Sequence, residues 1–222
     1  MNRMKKVIGL CLTLLLLFGI AVPAAEPVSA APSLSGQHLS SAEKRAFTRI
    51  LKREAGKKKI DGFNAEQAVK SWKGKYVTLK KEYSGYDTYT ITKSNGKNVL
   101  LLCGEIPEDG TLYDIYKLYY LKNGKVHSYR YEGYRLYPSG YSSKGKGIAF
   151  EEGNIANIIE NTVLTYQNGK IGVSKKLSYN CYEVSDWKYN GKKISKSKYD
   201  KIYDTYYENC KEIKFKEISD FK

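Results

Sequence analysis

Four Asn-Gly pairs punctuate this chain: Asn95-Gly96, Asn123-Gly124, Asn168-Gly169 and Asn190-Gly191, each followed by a lysine. Both central residues of a type I′ turn need positive φ. Asparagine tolerates this and glycine adopts it freely, so Asn-Gly is a strong hairpin signal. Every pair stands between apolar, β-branched or aromatic stretches. Residues 89–92 and 99–102 flank the first pair, and 113–121 and 126–131 the second. Residues 162–166 and 170–173 flank the third, and 187–189 and 192–194 the fourth. About eight strands follow from this count. The turns are unequally spaced, so they mark hairpins and not a strict repeat.

Helical periodicity lies at both ends of this β region. Ser40 and Glu43 have capping-box spacing ahead of Phe47, Ile50 and Leu51, and Gly56 suits the stop. A second short helix is predicted from Asn64, capped by Gln67, with Ala65, Ala68, Val69 and Trp72 on its apolar side and Gly74 at its end. Near the C-terminus, Ser197 and Asp200 have cap spacing, and Tyr199, Ile202, Tyr203, Tyr206 and Cys210 share one face. The alternating tail from Ile213 to Ile218 reads as a last strand. The expected fold is therefore mainly β, of the α+β kind. It is a meander of antiparallel hairpins with short N-terminal helices and one C-terminal helix packed on the sheet.

The first residues read as a secretory signal peptide. Arg3, Lys5 and Lys6 precede an apolar run from Val7 to Val22, and Val28-Ser29-Ala30 gives small residues for cleavage between Ala30 and Ala31. Val22-Pro23-Ala24 offers a second cut. The apolar core is about 16 residues, short of the roughly 20 that span a bilayer. Retention as an anchor is the competing outcome. The expected organisation is a signal peptide over residues 1–30, a flexible lead-in over 31–39 and a single β-rich domain over 40–222. The protein is then secreted or associated with the cell wall, with no stable transmembrane segment after processing.

Composition narrows the function classes. The chain carries a formal charge of +15 and contains 21 tyrosines. Such a balance suits an anionic cell-wall polymer or an acidic glycan. Nucleic acid is disfavoured, because no recognition motif accompanies the charge. The lysines are spread along the chain, which also fits plain solubility near an anionic wall. Cys103, Cys181 and Cys210 are far from any C-x-x-C pattern, and His38 and His127 are the only histidines, so neither a metal site nor a cofactor is expected. Where a disulfide forms, Cys181 and Cys210 are the expected pair.

Catalytic constellations are weak. Cys103 and His127 would make a nucleophile and base only if the fold joined them. Glu105, Glu108, Asp109, Glu151 and Glu152 sit in turn-like stretches, and two of them could serve a glycosidase only at a fixed separation. The tyrosines are the better clue. Tyr116, Tyr119, Tyr129 and Tyr131, with Arg130 and Arg135, form a candidate ligand surface of stacking rings beside cations. Their strand-forming propensity is the competing explanation. The expectation is an exported, non-enzymatic binding or interaction module that engages a polymer, a glycan or an exported protein. A hydrolase acting on cell-wall or polysaccharide substrate is the alternative. An open sheet edge held by a partner is a third option.

The chain also resembles a loosely defined group of uncharacterised exported proteins from Gram-positive bacteria. The resemblance rests on Ala46-Phe47-Thr48-Arg49-Ile50-Leu51, on the hairpin from Thr92 to Leu101, on Tyr113-Asp114-Ile115-Tyr116 leading into Lys122-Asn123-Gly124-Lys125-Val126, and on Asn190 to Tyr199. It covers most of residues 40–222 and implies export and a similar fold. Members of that group carry an acidic turn of the form Asp-x-[Asp/Asn]-Gly-Asp-Gly-x-x-Glu-Leu, suited to calcium. Here the matching positions are Lys93, Ser94, Asn95, Lys97 and Asn98, without a carboxylate, so calcium is not expected there.

Overall fold

The computed structural model describes residues 34, 38–59, 83–108, 111–133, 135–153, 157–183 and 186–221. The expected signal peptide and the helix predicted from Asn64 lie outside the described residues. The first described element is α1 (Ser41–Ala55). Its capping box is reciprocal. The Ser40 hydroxyl accepts from the Glu43 N–H at 3.2 Å, and the Glu43 carboxylate accepts from the Ser40 N–H at 2.9 Å. Two of the helix's orphan donors are satisfied this way.

A short parallel pair follows, β1 (Lys58–Lys59) with β2 (Tyr83–Ser84). Two antiparallel sheets make up most of the rest, so the chain is mostly β. The first is a meander of β3 (Tyr86–Ser94), β4 (Lys97–Glu108), β5 (Thr111–Lys122) and β6 (Lys125–Gly133). The second runs in chain order through β7 (Leu136–Ser142), β8 (Gly147–Gly153), β9 (Ile158–Gln167), β10 (Lys170–Asn180), β11 (Trp187–Tyr189) and β12 (Lys192–Lys193). All four Asn-Gly pairs close hairpins. Their asparagines have φ between +46° and +52°, and their glycines between +72° and +79°.

The hairpin of β7 with β8 forms without an Asn-Gly pair. Its loop reads Ser143-Lys144-Gly145-Lys146. Strand β7 also carries Pro138. The strand tolerates this proline because it is a sheet edge and its register shifts between Pro138 and Gly140.

The layers stack as helix, sheet, sheet, helix. Successive residues of β4 point to opposite faces. Leu100 and Leu102 pack with Phe47, Ile50 and Leu51 of α1. Val99 and Leu101 turn the other way, toward Leu136, Ile148, Phe150 and Leu164 of the second sheet. All four β4 residues are fully buried, which explains an unbroken apolar run where a half-exposed strand would alternate. The outer face of the second sheet, with Val163 and Leu177, is covered by α2 (Lys196–Tyr203) through Tyr199 and by Tyr207 of the π-turn that continues it, Asp204–Glu208.

Two expectations need correction. The cap of α2 is Ser195, whose hydroxyl accepts from the Lys198 N–H at 3.3 Å, and not Ser197. The helix thus starts at Lys196, straight after the β12 turn. The tail strand is also shorter than expected. Only β13 (Lys216–Glu217) pairs, with β3, and Ile218–Phe221 form a 3-10 turn. Ile218 and Phe221 bury against α1, and that packing ends the extended run.

Candidate functional site

The six residues expected to form a ligand surface are divided among different environments. Tyr116 is buried between the sheets, where its hydroxyl donates to the Leu136 carbonyl at 2.7 Å. Tyr119 is buried on the α1 side and accepts from the Arg53 guanidinium at 3.3 Å. Tyr129 and Tyr131 are half-buried on the inter-sheet face, and Tyr131 bonds Thr162. Arg130 is exposed and ion-paired with Glu132. Arg135 lies at the corner between the sheets, with φ +51°. The tyrosine row is core packing, because strand alternation turns Tyr116, Tyr129 and Tyr131 inward and Tyr119 under the helix. The expected surface therefore does not assemble.

Nor does a nucleophile–base pair. Cys103 stands beside Tyr116 on β5, whereas His127 stands beside Tyr120. Four residues along β5 and two strand spacings put them about 16 Å apart. Burial pushes the Cys103 thiol far above its ordinary value, which makes it inert. His127 is exposed and stacks on Tyr120, ring centres 5.6 Å apart. Cys103, Cys181 and Cys210 are all free thiols, so the expected Cys181–Cys210 disulfide is not formed. Cys181 lies on an exposed bend, while Cys210 is drawn toward the tyrosines under α2, its thiol donating to the Tyr206 carbonyl at 3.3 Å. Of the carboxylates, Glu105 is exposed and Glu151 and Glu152 are half-buried on β8, while Asp109 lies outside the described residues. Glu160 of β9, opposite Glu152, is paired with Lys176 at 2.7 Å. Among the described residues no His, Cys, Asp and Glu cluster could hold a metal.

The first hairpin turn, from Lys93 to Asn98, has a structural task. Asn95 donates its side-chain N–H to the Tyr166 carbonyl at 3.1 Å, and its backbone N–H bonds the Lys146 carbonyl at 2.6 Å. Asn98 donates to the His38 carbonyl and to the Glu43 carboxylate, both at 3.1 Å. These amides pin the first hairpin to the second sheet and to the start of α1.

A distinct chemical surface does emerge on α1. The helix buries Phe47, Ile50 and Leu51, and also both of its acids. Glu43 is held by Ser40 and Asn98. Glu54 is held by Arg53 and Lys57, at 2.9 Å each. Lys44, Arg45, Arg49 and Lys52 remain exposed, around the half-buried Thr48. At 100° per residue they occupy an arc of about 140° and about 12 Å of helix. None of the four has an ion pair among the described residues. The sequence hid this face because two glutamates sit among the cations, and only the helix period shows that both turn inward.

Among the described residues no helix is long and apolar enough to cross a membrane. No family model, no curated protein and no solved structure matches this chain.

Proposed function

We propose that this chain is an exported, non-enzymatic binding module, and that the exposed face of α1 engages an anionic polymer of the cell surface. The observation that carries the reading is the segregation on α1: Lys44, Arg45, Arg49 and Lys52 outside, Glu43 and Glu54 inside. Export rests on the residues from Arg3 to Ala31 and on the resemblance to exported Gram-positive proteins. A cation beside an anionic surface contributes about 1 kcal/mol at low salt. Four of them give about 4 kcal/mol, roughly a thousandfold in affinity. Exposed charges are screened within about 10 Å at moderate ionic strength, so salt weakens the interaction.

The test is binding of the protein to immobilised teichoic acid, with a neutral glucan as control, at low and high salt. Salt-sensitive retention on the anionic polymer, lost in an Arg45→Glu/Arg49→Glu variant of unchanged thermal stability, is the expected result. Equal retention of that variant, or of the native protein on the neutral glucan, overturns the reading.

A further inference from the structure

Strand β13 parts from β3 early. Its two residues pair with Tyr89 and Thr88. Extending the same register would set Lys214 beside Ile91 and Glu212 beside Lys93. The chain instead crosses to the second sheet, where Lys211 bridges Tyr141 of β7 through bonds of 2.8 and 2.9 Å. Ile213 and Phe215 hold this crossing segment by packing between the sheets. An open groove of about 510 Å³ is left between β3 and residues 211–214.

Hairpin geometry fixes which way the β3 backbone faces. Ser94 and Lys97 close a two-residue type I′ turn and form a hydrogen-bonded pair. Pairing alternates from there, so Thr92 and Thr90 bond β4, while Ile91 and Lys93 turn N–H and C=O toward the groove. Tyr89, the next residue in that series, is the one β13 takes. The outward groups of Ile91 and Lys93 have no hydrogen-bond partner among the described residues. Around them stand the side chains of Lys93, Lys211 and Lys214, against Glu212 alone.

We propose that this groove takes an extended acidic peptide segment of a partner protein, laid along β3 as an added strand. Main-chain bonds to Ile91 and Lys93 supply affinity, and the lysines select carboxylate side chains. A second copy of this chain is the wrong occupant. Edge pairing of two β3 strands would bring Lys93 and its neighbours against the same cations, which is how edge lysines suppress self-association.

The test uses amide spectra of the isotopically labelled protein, titrated with an acetylated Glu-Val-Glu-Val-Glu amide. Saturable shifts at the Ile91 and Lys93 amides, with the Thr92 amide little changed, are expected. A Lys-Val-Lys-Val-Lys peptide, or the acidic peptide N-methylated at its valines, binds at least about tenfold more weakly. A Lys93→Glu/Lys214→Glu variant with an otherwise unchanged spectrum loses the response, and an Arg45→Glu/Arg49→Glu variant keeps it. Absence of shifts at Ile91 and Lys93, equal binding of the basic peptide, or shifts confined to α1 overturns the proposal.

Discussion

The Tyr166 backbone N–H donates to the Ser94 hydroxyl at 2.8 Å, joining the tip of the first hairpin to β9 of the second sheet. Ser94 is fully buried. A Ser94→Ala substitution leaves that N–H without its acceptor in a closed environment. The expected cost is about 1–3 kcal/mol, read as a lower urea midpoint with an unchanged m-value. An unaffected midpoint would mean that the join between the sheets does not depend on this bond.

Acid should loosen α1. Burial alone would raise the Glu54 carboxyl, but Lys57 and then Arg53 outweigh it and hold the group below its ordinary value of 4.5. Glu43 is shifted the same way, its burial outweighed by the Ser40 backbone and side chain and by Asn98. A carboxyl lowered on folding contributes stability that is complete above its unfolded value and fades as pH falls through the folded one. Stability should therefore decline below about pH 4.5. Glu54→Gln should cost about 1–2 kcal/mol near neutrality and flatten the acid limb. Chemical denaturation across that pH range checks both.

Two glycines should respond very differently to alanine. Gly124 has φ +72° and open space where a Cβ would stand, so Gly124→Ala costs only the left-handed backbone, about 1 kcal/mol. Gly104 faces the Gly85 carbonyl at a spacing no Cβ fits. Gly104→Ala must push β3 away from β4 near the Tyr86–Thr88 register shift, and should cost at least about twice as much. Melting temperatures of the two variants decide the order.

The thiols should alkylate in the order of their surroundings. Cys181 is exposed, burial raises Cys210, and burial raises Cys103 further. Iodoacetamide should label Cys181 first and Cys103 only as the protein opens, since the thiolate is the reactive form. Peptide mapping after timed labelling would show it. Early modification of Cys103 would contradict the packing of β4.

Legibility followed the range of the interactions. Turn chemistry is local, so Asn95, Asn123, Asn168 and Asn190 placed four hairpins, and Ser40 with Glu43 placed the start of α1. The hairpin through Ser143–Lys146 was hidden because its loop uses other residues for the same reversal. The facing of the tyrosines is illegible for a different reason. A tyrosine on a strand is equally suited to either face, and which face is covered depends on layers that meet only in three dimensions. The groove beside β3 was out of reach because its two walls are far apart in the sequence. The basic face of α1 was within reach of the helical period, once Glu43 and Glu54 are set on its inner side.

Pairing within each sheet joins strands that are consecutive in the chain, with one exception. Lys216 meets Tyr89 across about 130 residues, the longest strand pairing among the described residues. During synthesis the hairpins can close one after another as they emerge, whereas the outer border of β3 waits for the last residues to arrive. Until then that border is bare, and adhesion to other nascent chains is the hazard. A polypeptide halted just before Lys211 would keep every Asn-Gly hairpin yet lack its fastening, and its fate would be decided by how quickly neighbouring chains find the same strand.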